Sequence, residues 1–197
     1  MSDIWGMILA AGESKRMKVQ KLLLPFEGKT MIERVIENVI HSGVDNTLVV
    51  IGSHSDEILK IIEHLPITTC YNNNYKQGML SSIKCGVRSL PANYDAVLVF
   101  LGDQPMIPKE AVNMVIQAYK NSNKGIVIPT FQKERGHPLL IERRYREEIE
   151  KLEESEGLRA LAVKFADDVL EVETNLPGIL RDIDTKEEYE DAINQIL

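Results

Sequence analysis

Short apolar runs alternate with amphipathic stretches along this chain. Residues 4–9, 47–51 and 96–101 form compact runs of large or β-branched apolar side chains, which predicts buried strands. Residues 31–40 carry apolar side chains at helical spacing, and Thr30 with Glu33 predicts a capping box at the start of that helix. Strands that alternate with helices in this way are typical of βαβ units and a largely parallel sheet.

The remaining elements follow from the same periodicities. Further strands are predicted at 67–71, 125–129, 138–141 and 169–172, and further helices at 79–90, 142–152 and 157–165. Three more helices are expected after Ser55, Pro108 and Thr185. Ser55 is a candidate cap, Pro108 suits a first helical turn, and Thr185 begins a second capping box. Ligands bind beyond the carboxyl ends of such sheets, so the functional residues are expected in strand-to-helix loops.

The length and composition narrow the class of protein. The 197 residues fit one domain, 1–197, in which residues 131–176 depart from simple alternation. No apolar run reaches the roughly 18 residues of a membrane helix, and the start lacks the pattern of a signal peptide. The two cysteines, Cys70 and Cys85, argue against a disulfide framework. We therefore expect a cytoplasmic protein that does not associate with membranes.

Charge is unevenly distributed along the chain. The net charge is −7, from 23 basic and 30 acidic residues, which argues against a nucleic-acid partner. Between Gly12 and Lys29, however, the sequence contains five basic residues and only two acidic ones. A local basic patch in an acidic protein favours a small anionic ligand.

The loop after the first predicted strand suits an anion. Ala10, Ala11 and Gly12 are small, so a ligand can approach the backbone, whose amides can form an anion-binding nest. Arg16 offers a planar fork for phosphate oxygens and Lys21 a compact charge. The loop matches neither the P-loop nor the G-x-G-x-x-G pattern, and the alternative interpretation is a solvated basic loop.

Carboxylates follow the strand at 96–101 and recur near the carboxyl terminus. Asp103 lies at the expected ligand crevice, and Mg²⁺ is typically held by one or two carboxylates plus substrate phosphates. Asp182 and Asp184 lie on one side of an extended segment, so a carboxylate from there would complete a magnesium site. The alternatives are structural: Asp103 would cap a turn, and Asp184 or Thr185 would cap the last helix. A contribution of Asp182 stays open.

Two further segments carry candidate binding residues. His137, between Gly136 and Pro138, is a candidate contact for an anionic acceptor or a phosphate, although a lone histidine is more often structural. Gly78 permits unusual backbone angles. Ser81 and Ser82 open the following helix, where they would reach a nucleobase edge, or Ser81 would only cap the helix. The scattered His and Cys residues argue against zinc.

Five motifs, in this order, resemble the nucleotidyltransferases of molybdenum cofactor biosynthesis, and most closely their cytidylyltransferase branch. They are Leu9-Ala10-Ala11-Gly12 with Ser14, Arg16-Met17 and Lys21; Gln77-Gly78-Met79 with Ser81-Ser82; Gly102-Asp103-Gln104-Pro105; Gly136-His137-Pro138; and Asp182-Ile183-Asp184-Thr185. The resemblance spans nearly the whole chain. Lys18 replaces a glycine that often follows Arg-Met in the family, and Lys186 replaces a proline after Asp-x-Asp-Thr.

The resemblance implies a three-layer α/β, Rossmann-like nucleotide-diphospho-sugar transferase fold with a mostly parallel mixed sheet. The first loop would bind the triphosphate and base of the nucleotide through Leu9, Ala10, Ala11, Gly12 and Ser14. Asp103 and Asp184 would hold Mg²⁺, while Lys21 and Arg16 would stabilise charge on the phosphates. Gly78 and Ser82 would lie near the base. His137 and residues 131–176 would then face the acceptor.

The implied reaction moves CMP from CTP to the phosphate of molybdenum-loaded molybdopterin and releases pyrophosphate. The alanines of the first loop favour CTP, because guanylyltransferases of the same pathway tend to have a more glycine-rich loop. A molybdoenzyme client follows as a possible partner.

Other functions stay open at this point. A guanylyltransferase of the same pathway, or a cytidylyltransferase acting on a sugar phosphate, phosphocholine or methylerythritol phosphate, keeps the chemistry. A non-catalytic protein that binds nucleotide and delivers cofactor is the alternative outside enzymes, and joint retention of Lys21, Asp103 and Asp184 speaks against it. A dinucleotide oxidoreductase is disfavoured because the glycine fingerprint is missing.

Overall fold

Ten strands and seven α-helices make up the computed structural model, which describes residues 3–17 and 19–195. The strands are β1 (Ile4–Ala10), β2 (Pro25–Phe26), β3 (Lys29–Thr30), β4 (Asn46–Ile51), β5 (Thr68–Tyr71), β6 (Ala96–Leu101), β7 (Ile126–Phe131), β8 (Glu134–Arg135), β9 (Leu139–Glu142) and β10 (Val169–Glu173). The helices are α1 (Met31–Ile40), α2 (Ser55–Ile62), α3 (Met79–Ser89), α4 (Lys109–Lys120), α5 (Arg146–Lys151), α6 (Leu158–Lys164) and α7 (Lys186–Asn194).

One mixed sheet carries eight of the strands in the order β10-β7-β9-β6-β1-β4-β5, with β8 paired to β7. The pairs β1–β4, β1–β6, β4–β5 and β7–β10 are parallel. β9 runs antiparallel to both β6 and β7, which makes the sheet mixed. The predicted fold class is therefore confirmed, and β9 lies within the segment 131–176 that departs from alternation.

Two cores, one on each face of the sheet, give the three layers. Side chains alternate along β1, so Ile4 and Ile8 face the core shared with α1, α2, α4 and α7. Met7 faces the opposite core, which α3, α5 and α6 cover. All six side chains of β6 are buried, as expected for a central strand covered on both faces.

Local sequence signals position several helices. Both predicted capping boxes form, Thr30 with Glu33 at α1 and Thr185 with Glu188 at α7. Gly86 lets α3 lie close to the sheet, because a Cβ there would approach the Met7 sulfur to 2.1 Å. The start of α3 is thereby held near the carboxyl ends of β1 and β4.

Three local predictions need correction. The cap of α2 is His54 in a left-handed conformation, and Ser55 is the first helical residue. The predicted helix at 142–152 is a 3-10 turn, Arg143–Tyr145, followed by α5, because β9 extends to Glu142. Pro108 is the cap of α4, one residue before the helical turn in which it was expected.

Some features were not predicted or cannot be compared. The hairpin β2–β3 turns through Glu27 and Gly28, both with positive φ. Lys18, whose identity departs from the family pattern, lies outside the described residues.

Cys70 and Cys85 are free thiols whose sulfurs lie 3.9 Å apart. Among the described residues, no helix is both long and apolar enough to cross a membrane.

Candidate active site

The carboxyl ends of β1 and β6 place two predicted loops side by side. Leu9 pairs with Leu101 in the parallel register, and the Gly102 amide donates to the Leu9 carbonyl at 3.0 Å. β4, the next strand of the sheet along the chain, pairs on the other side of β1. The chain order thus reverses at β1, and the crevice above such a reversal is where open α/β sheets bind ligands.

A glutamine holds the first loop in its curled shape. The Ser14 hydroxyl donates to Gln20 Oε1 at 2.7 Å, and Gln20 Nε2 donates to the Gly12 carbonyl at 3.5 Å. The Lys21 amide in turn donates to Ser14 Oγ at 3.3 Å. Through these contacts the loop folds back, so that Gln20 and Lys21 lie against Gly12 and Ser14 and the Lys21 side chain enters the crevice. The sequence reasoning missed Gln20, whose local signal is that it caps the 3-10 turn Lys21–Leu23.

An ionic cluster forms where three distant segments meet. Lys21 Nζ lies 2.6 Å from Asp103 Oδ2 and 2.6 Å from Asp184 Oδ1. Arg16 donates to the second Asp184 oxygen at 2.8 Å. The Lys21 side chain is only 12% exposed, whereas that of Arg16 is 71% exposed. The structure thus brings together all four side chains that the sequence proposed for phosphate and metal chemistry.

The contacts of the cluster favour the charged forms of Lys21 and Asp184. Burial on its own would lower the pKa of Lys21, but the carboxylates of Asp103 and Asp184 outweigh it and raise that pKa. Burial likewise opposes ionisation of Asp184, yet Lys21 and Arg16 hold its pKa below the usual range. Lys21 therefore stays protonated near neutral pH.

The two carboxylates fit a magnesium ion. Asp103 Oδ1 is buried and has no hydrogen-bond partner among the described residues, so one hard oxygen is available for a cation. Within the same ranges, no group of three or more His, Cys, Asp or Glu side chains is arranged around a metal. Proteins usually hold Mg²⁺ with one or two carboxylates, and substrate phosphates and water complete the coordination.

Asp182 points to a different neighbour. Gln104 Nε2 donates to the Asp182 carboxylate, and Gln104 Oε1 is buried without a partner in the described part of the chain. Desolvation raises the pKa of Asp182, helped by the Asp103 carboxylate and opposed by the Gln104 contact. Burial lowers the pKa of nearby His137, although Asp182 and Asp103 oppose that shift. His137 is therefore neutral near pH 7, and the Asp182 carboxylate contacts Gln104 beside the ionic cluster.

A pocket of about 250 Å³ adjoins the cluster, and we call it the nucleotide pocket after the ligand that the sequence predicts for these residues. It is lined by Leu9, Ala11, Gly12, Ser14, Lys21, Leu22, Tyr75, Gly78, Met79, Ser82, Leu101 and Asp103. A second pocket of about 310 Å³ includes Arg16 and Asp184 and shares Lys21 and Asp103 with the first. Of the residues proposed for nucleotide binding, only Ala10 lines neither pocket, because its side chain is buried in the core.

His137 lies in a third, larger pocket of about 680 Å³. This pocket shares Met79 and Leu101 with the nucleotide pocket, so the two are neighbours. Three exposed basic residues in its lining, Lys133, Arg135 and Arg159, form what we call its basic rim, beside the exposed acid Glu134. Arg135 is also paired with Glu171 at 2.7 Å. Residues of the segment 131–176 thus supply most of its polar lining. The sequence reasoning missed these cations, and it gave no binding role to Tyr75 or Met79, which line the nucleotide pocket.

The segment before α3 shapes the other end of the nucleotide pocket. Gly78 has φ 120° and ψ −179°, a conformation available essentially only to glycine, and it is the residue that precedes the helix. Ser81 therefore does not cap α3; its hydroxyl donates back to the Asn74 or the Gly78 carbonyl. A side chain at Gly78 would meet nothing within 4 Å, so the pocket stays open there.

The fold is that of known nucleotidyltransferases. A nucleotidyl transferase from Methanothermobacter thermautotroptrophicus superposes with a TM-score of 0.84 at 22% identity, over 98% of this chain and 96% of that one. The family model described as the MobA-like NTP transferase domain matches residues 6–169. The chain belongs to this family, which confirms the resemblance, and it is an enzyme of the nucleotidyltransferase class.

Relatives with both base specificities are similar to this chain. A probable molybdenum cofactor guanylyltransferase of Methanosarcina acetivorans is 30% identical, over 97% of this chain and 90% of the relative. The molybdenum cofactor cytidylyltransferase of Escherichia coli K12 is 28% identical, over 72% of this chain and 71% of the relative. Because one relative is named a guanylyltransferase and the other a cytidylyltransferase, these similarities do not decide between GTP and CTP.

Proposed function

We propose that this chain is a Mg²⁺-dependent nucleotidyltransferase that transfers CMP from CTP to the phosphate of molybdenum-loaded molybdopterin. The observation that carries the proposal is the position of Lys21, 2.6 Å from both Asp103 and Asp184 at the edge of the nucleotide pocket. A cation held between two carboxylates beside a small-residue loop suits a triphosphate and a metal ion. A merely structural ion pair would not require a pocket next to it.

The proposed reaction is a direct displacement. An oxygen of the acceptor phosphate forms a bond to the α-phosphorus of CTP. The bond from that phosphorus to the oxygen bridging to the β-phosphate breaks, and pyrophosphate leaves with the electron pair. No covalent enzyme intermediate is required, so catalysis rests on positioning and on neutralising charge.

Each side chain of the cluster has a separate part in this proposal. Lys21 and Arg16 offset the negative charge that develops on the α-phosphate and on the leaving pyrophosphate. Asp103 and Asp184 would hold Mg²⁺, which when bound neutralises phosphate charge. The backbone from Leu9 to Ser14 lies against the triphosphate and base, and Gly78 with Ser82 lies against the base. Gly12 suits close approach, because a side chain there would meet nothing within 4 Å.

The choice of CTP over GTP rests on the first loop. Ala10-Ala11-Gly12 contrasts with the more glycine-rich first loop that the guanylyltransferases of the pathway tend to have. A GTP-using enzyme is the second candidate, since a probable guanylyltransferase is 30% identical over nearly the whole chain. Both candidates share the ionic cluster and differ only at the base.

The acceptor is proposed to occupy the pocket that contains His137. Its basic rim suits a phosphorylated acceptor, and its shared wall with the nucleotide pocket would let the two phosphates meet. A neutral His137 would donate a hydrogen bond to the acceptor. A molybdoenzyme client in the cytoplasm would then receive the product.

The test is pyrophosphate release by purified protein with molybdenum-loaded molybdopterin and Mg²⁺, comparing CTP, GTP and ATP. We expect release with CTP, loss of release with EDTA, and recovery on adding excess Mg²⁺. Release with GTP but not with CTP or ATP would show that the protein is a guanylyltransferase. Release only with a sugar phosphate, phosphocholine or methylerythritol phosphate would keep the chemistry and replace the acceptor. The variant His137→Gln should raise the KM for the acceptor and leave that for CTP unchanged.

A further inference from the structure

Asn72 is a buried polar residue behind the nucleotide pocket that the proposed mechanism does not use. It follows β5 directly and is 3% exposed. Its backbone amide donates to the Ile51 carbonyl at 2.8 Å, which extends the pairing of β5 with β4. Its side chain is thereby aimed under the first turn of α3.

The orientation of the Asn72 amide is fixed by its neighbours. The backbone N–H of Asn74 donates to Asn72 Oδ1 at 2.9 Å. A backbone N–H can only donate, so the oxygen must be on that side and the NH₂ group on the other. Asn72 Nδ2 then donates its two hydrogens to Ser81 Oγ at 2.9 Å and Ser82 Oγ at 3.0 Å.

The two serines that receive these bonds are not equivalent. A hydroxyl has one hydrogen and two acceptor sites. The hydrogen of Ser81 is used within the protein, on the Asn74 or Gly78 carbonyl. Ser82 lines the nucleotide pocket, and across residues 3–17 and 19–195 its hydroxyl donates to no protein acceptor. Since Asn72 can only donate to it, the Ser82 hydrogen is left for whatever occupies the pocket.

We propose that Asn72 is a positioning residue that fixes the Ser82 hydroxyl as a hydrogen-bond donor to the nucleobase. This inference rests on the proposed function and adds a reason for the base preference. The pairing edge of cytosine offers two adjacent acceptors, O2 and N3, beside the N4 donor, whereas that of guanine presents two adjacent N–H donors, N1 and N2, beside the single acceptor O6. A fixed donor at Ser82 therefore selects a base that offers an acceptor there, because an unmatched donor pair would leave buried groups unsatisfied.

The variant Asn72→Asp reverses this polarity with little change of shape. The carboxylate keeps the contact with the Asn74 amide but accepts from Ser82, which turns the Ser82 hydrogen away from the base. Affinities for CTP, GTP and inorganic tripolyphosphate are measured by titration calorimetry in Mg²⁺. We expect CTP affinity to fall about tenfold, the loss of one hydrogen bond to the base. Affinity for GTP should not fall, and that for tripolyphosphate should stay within twofold.

Two serine variants serve as comparison. Ser82→Ala removes the donor itself and should match the loss of CTP affinity in Asn72→Asp. The double variant should lose no more than either single one, because both remove the same contact. Ser81→Ala removes the other acceptor of Asn72 outside the nucleotide pocket and should change CTP affinity less than twofold. Ser82→Ala remains a test if Asn72→Asp fails to fold.

Different failures identify different errors. If the wild-type protein binds CTP and both Asn72→Asp and Ser82→Ala bind it equally well, the inference is wrong and the proposed function stands. Additive losses in the double variant would also overturn it, because the two residues would then act separately. If the wild-type protein binds tripolyphosphate as tightly as any nucleoside triphosphate, the pocket does not read a base and both proposals fall.

Discussion

Two groups of residues with different chemistry flank the nucleotide pocket, and we call them its ionic end and its neutral end. At the ionic end, comprising Arg16, Lys21, Asp103 and Asp184, two cations and two carboxylates are paired with one another. At the neutral end, Gly78 and Ser82 line the pocket, and the uncharged side chains of Asn72 and Ser81 lie behind them in a hydrogen-bonded network. The first loop spans the distance between them.

The two ends differ in what has to change when a ligand binds. The ion pairs of the ionic end must be replaced, whereas the hydrogen bonds of the neutral end can stay as they are. At the ionic end, Lys21 occupies one oxygen of each carboxylate, so phosphates and a divalent cation would bind by replacing those contacts. At the neutral end, Asn72 is tied to backbone that forms part of the sheet, and its contacts need not change when a base binds. Transition-state charge would be handled at the first end, and ligand choice at the second.

The largest effect is expected from Asp103→Asn, which keeps the shape of the side chain and removes its charge. Turnover should fall roughly 100- to 1,000-fold, the usual effect of losing one oriented charge contact in an active site. CTP affinity should fall much less, since the neutral end is intact. Pyrophosphate release and calorimetry measure the two quantities. Asp56→Asn, an exposed change on α2, is the matched control, and near-normal turnover in Asp103→Asn would remove the proposed role of the carboxylate.

The next effect concerns Lys21→Met, which retains length and removes the cation between the two carboxylates. Turnover should fall about 100-fold. In the same variant, Mg²⁺ alone should raise the Tm by more than it does in the wild type. Asp103 then loses its contact with Lys21 and Asp184 keeps only Arg16, so the two carboxylates repel each other until a cation binds. Lys60→Met, an exposed change on α2, is the control. An unchanged response of the Tm to Mg²⁺ would mean that these carboxylates do not take the metal.

Local patterns predicted most of the fold because their causes are local. The run at 96–101 became the buried strand β6, and both capping boxes formed, since each depends on residues within four positions. The antiparallel insertion of β9 between β6 and β7 has no comparable signal, because strand order depends on pairing between distant segments. The cap of α2 is His54 and not the predicted Ser55, because the turn that leaves β4 places His54 in a left-handed conformation just before the helix. This turn has no signal in the local sequence.

The ionic end was also easier to predict than the neutral end. Charged residues in loops after strands carry a recognisable chemical signature, and Lys21, Asp103 and Asp184 were found that way. Asn72 and Gln20 act through contacts with other polar residues, and an asparagine in a polar loop has no distinctive signature. Asn72 could have been noted because it directly follows a predicted strand, the position where ligand-binding residues are expected.

The smallest effect, and the one that compares the two ends directly, is their response to salt. Screening shortens the range of charge interactions from about 10 Å at 0.1 M salt to about 3 Å at 1 M. Affinity for CTP and for tripolyphosphate should therefore fall by a similar factor, several-fold, as KCl rises between these concentrations with Mg²⁺ held constant. The ratio of CTP affinities between the wild type and Ser82→Ala should stay the same at both concentrations, because a hydrogen bond between neutral groups is little affected by ions. A ratio that shrinks with salt would show that Ser82 acts on the phosphates, and the division of the pocket into an ionic and a neutral end would then be wrong.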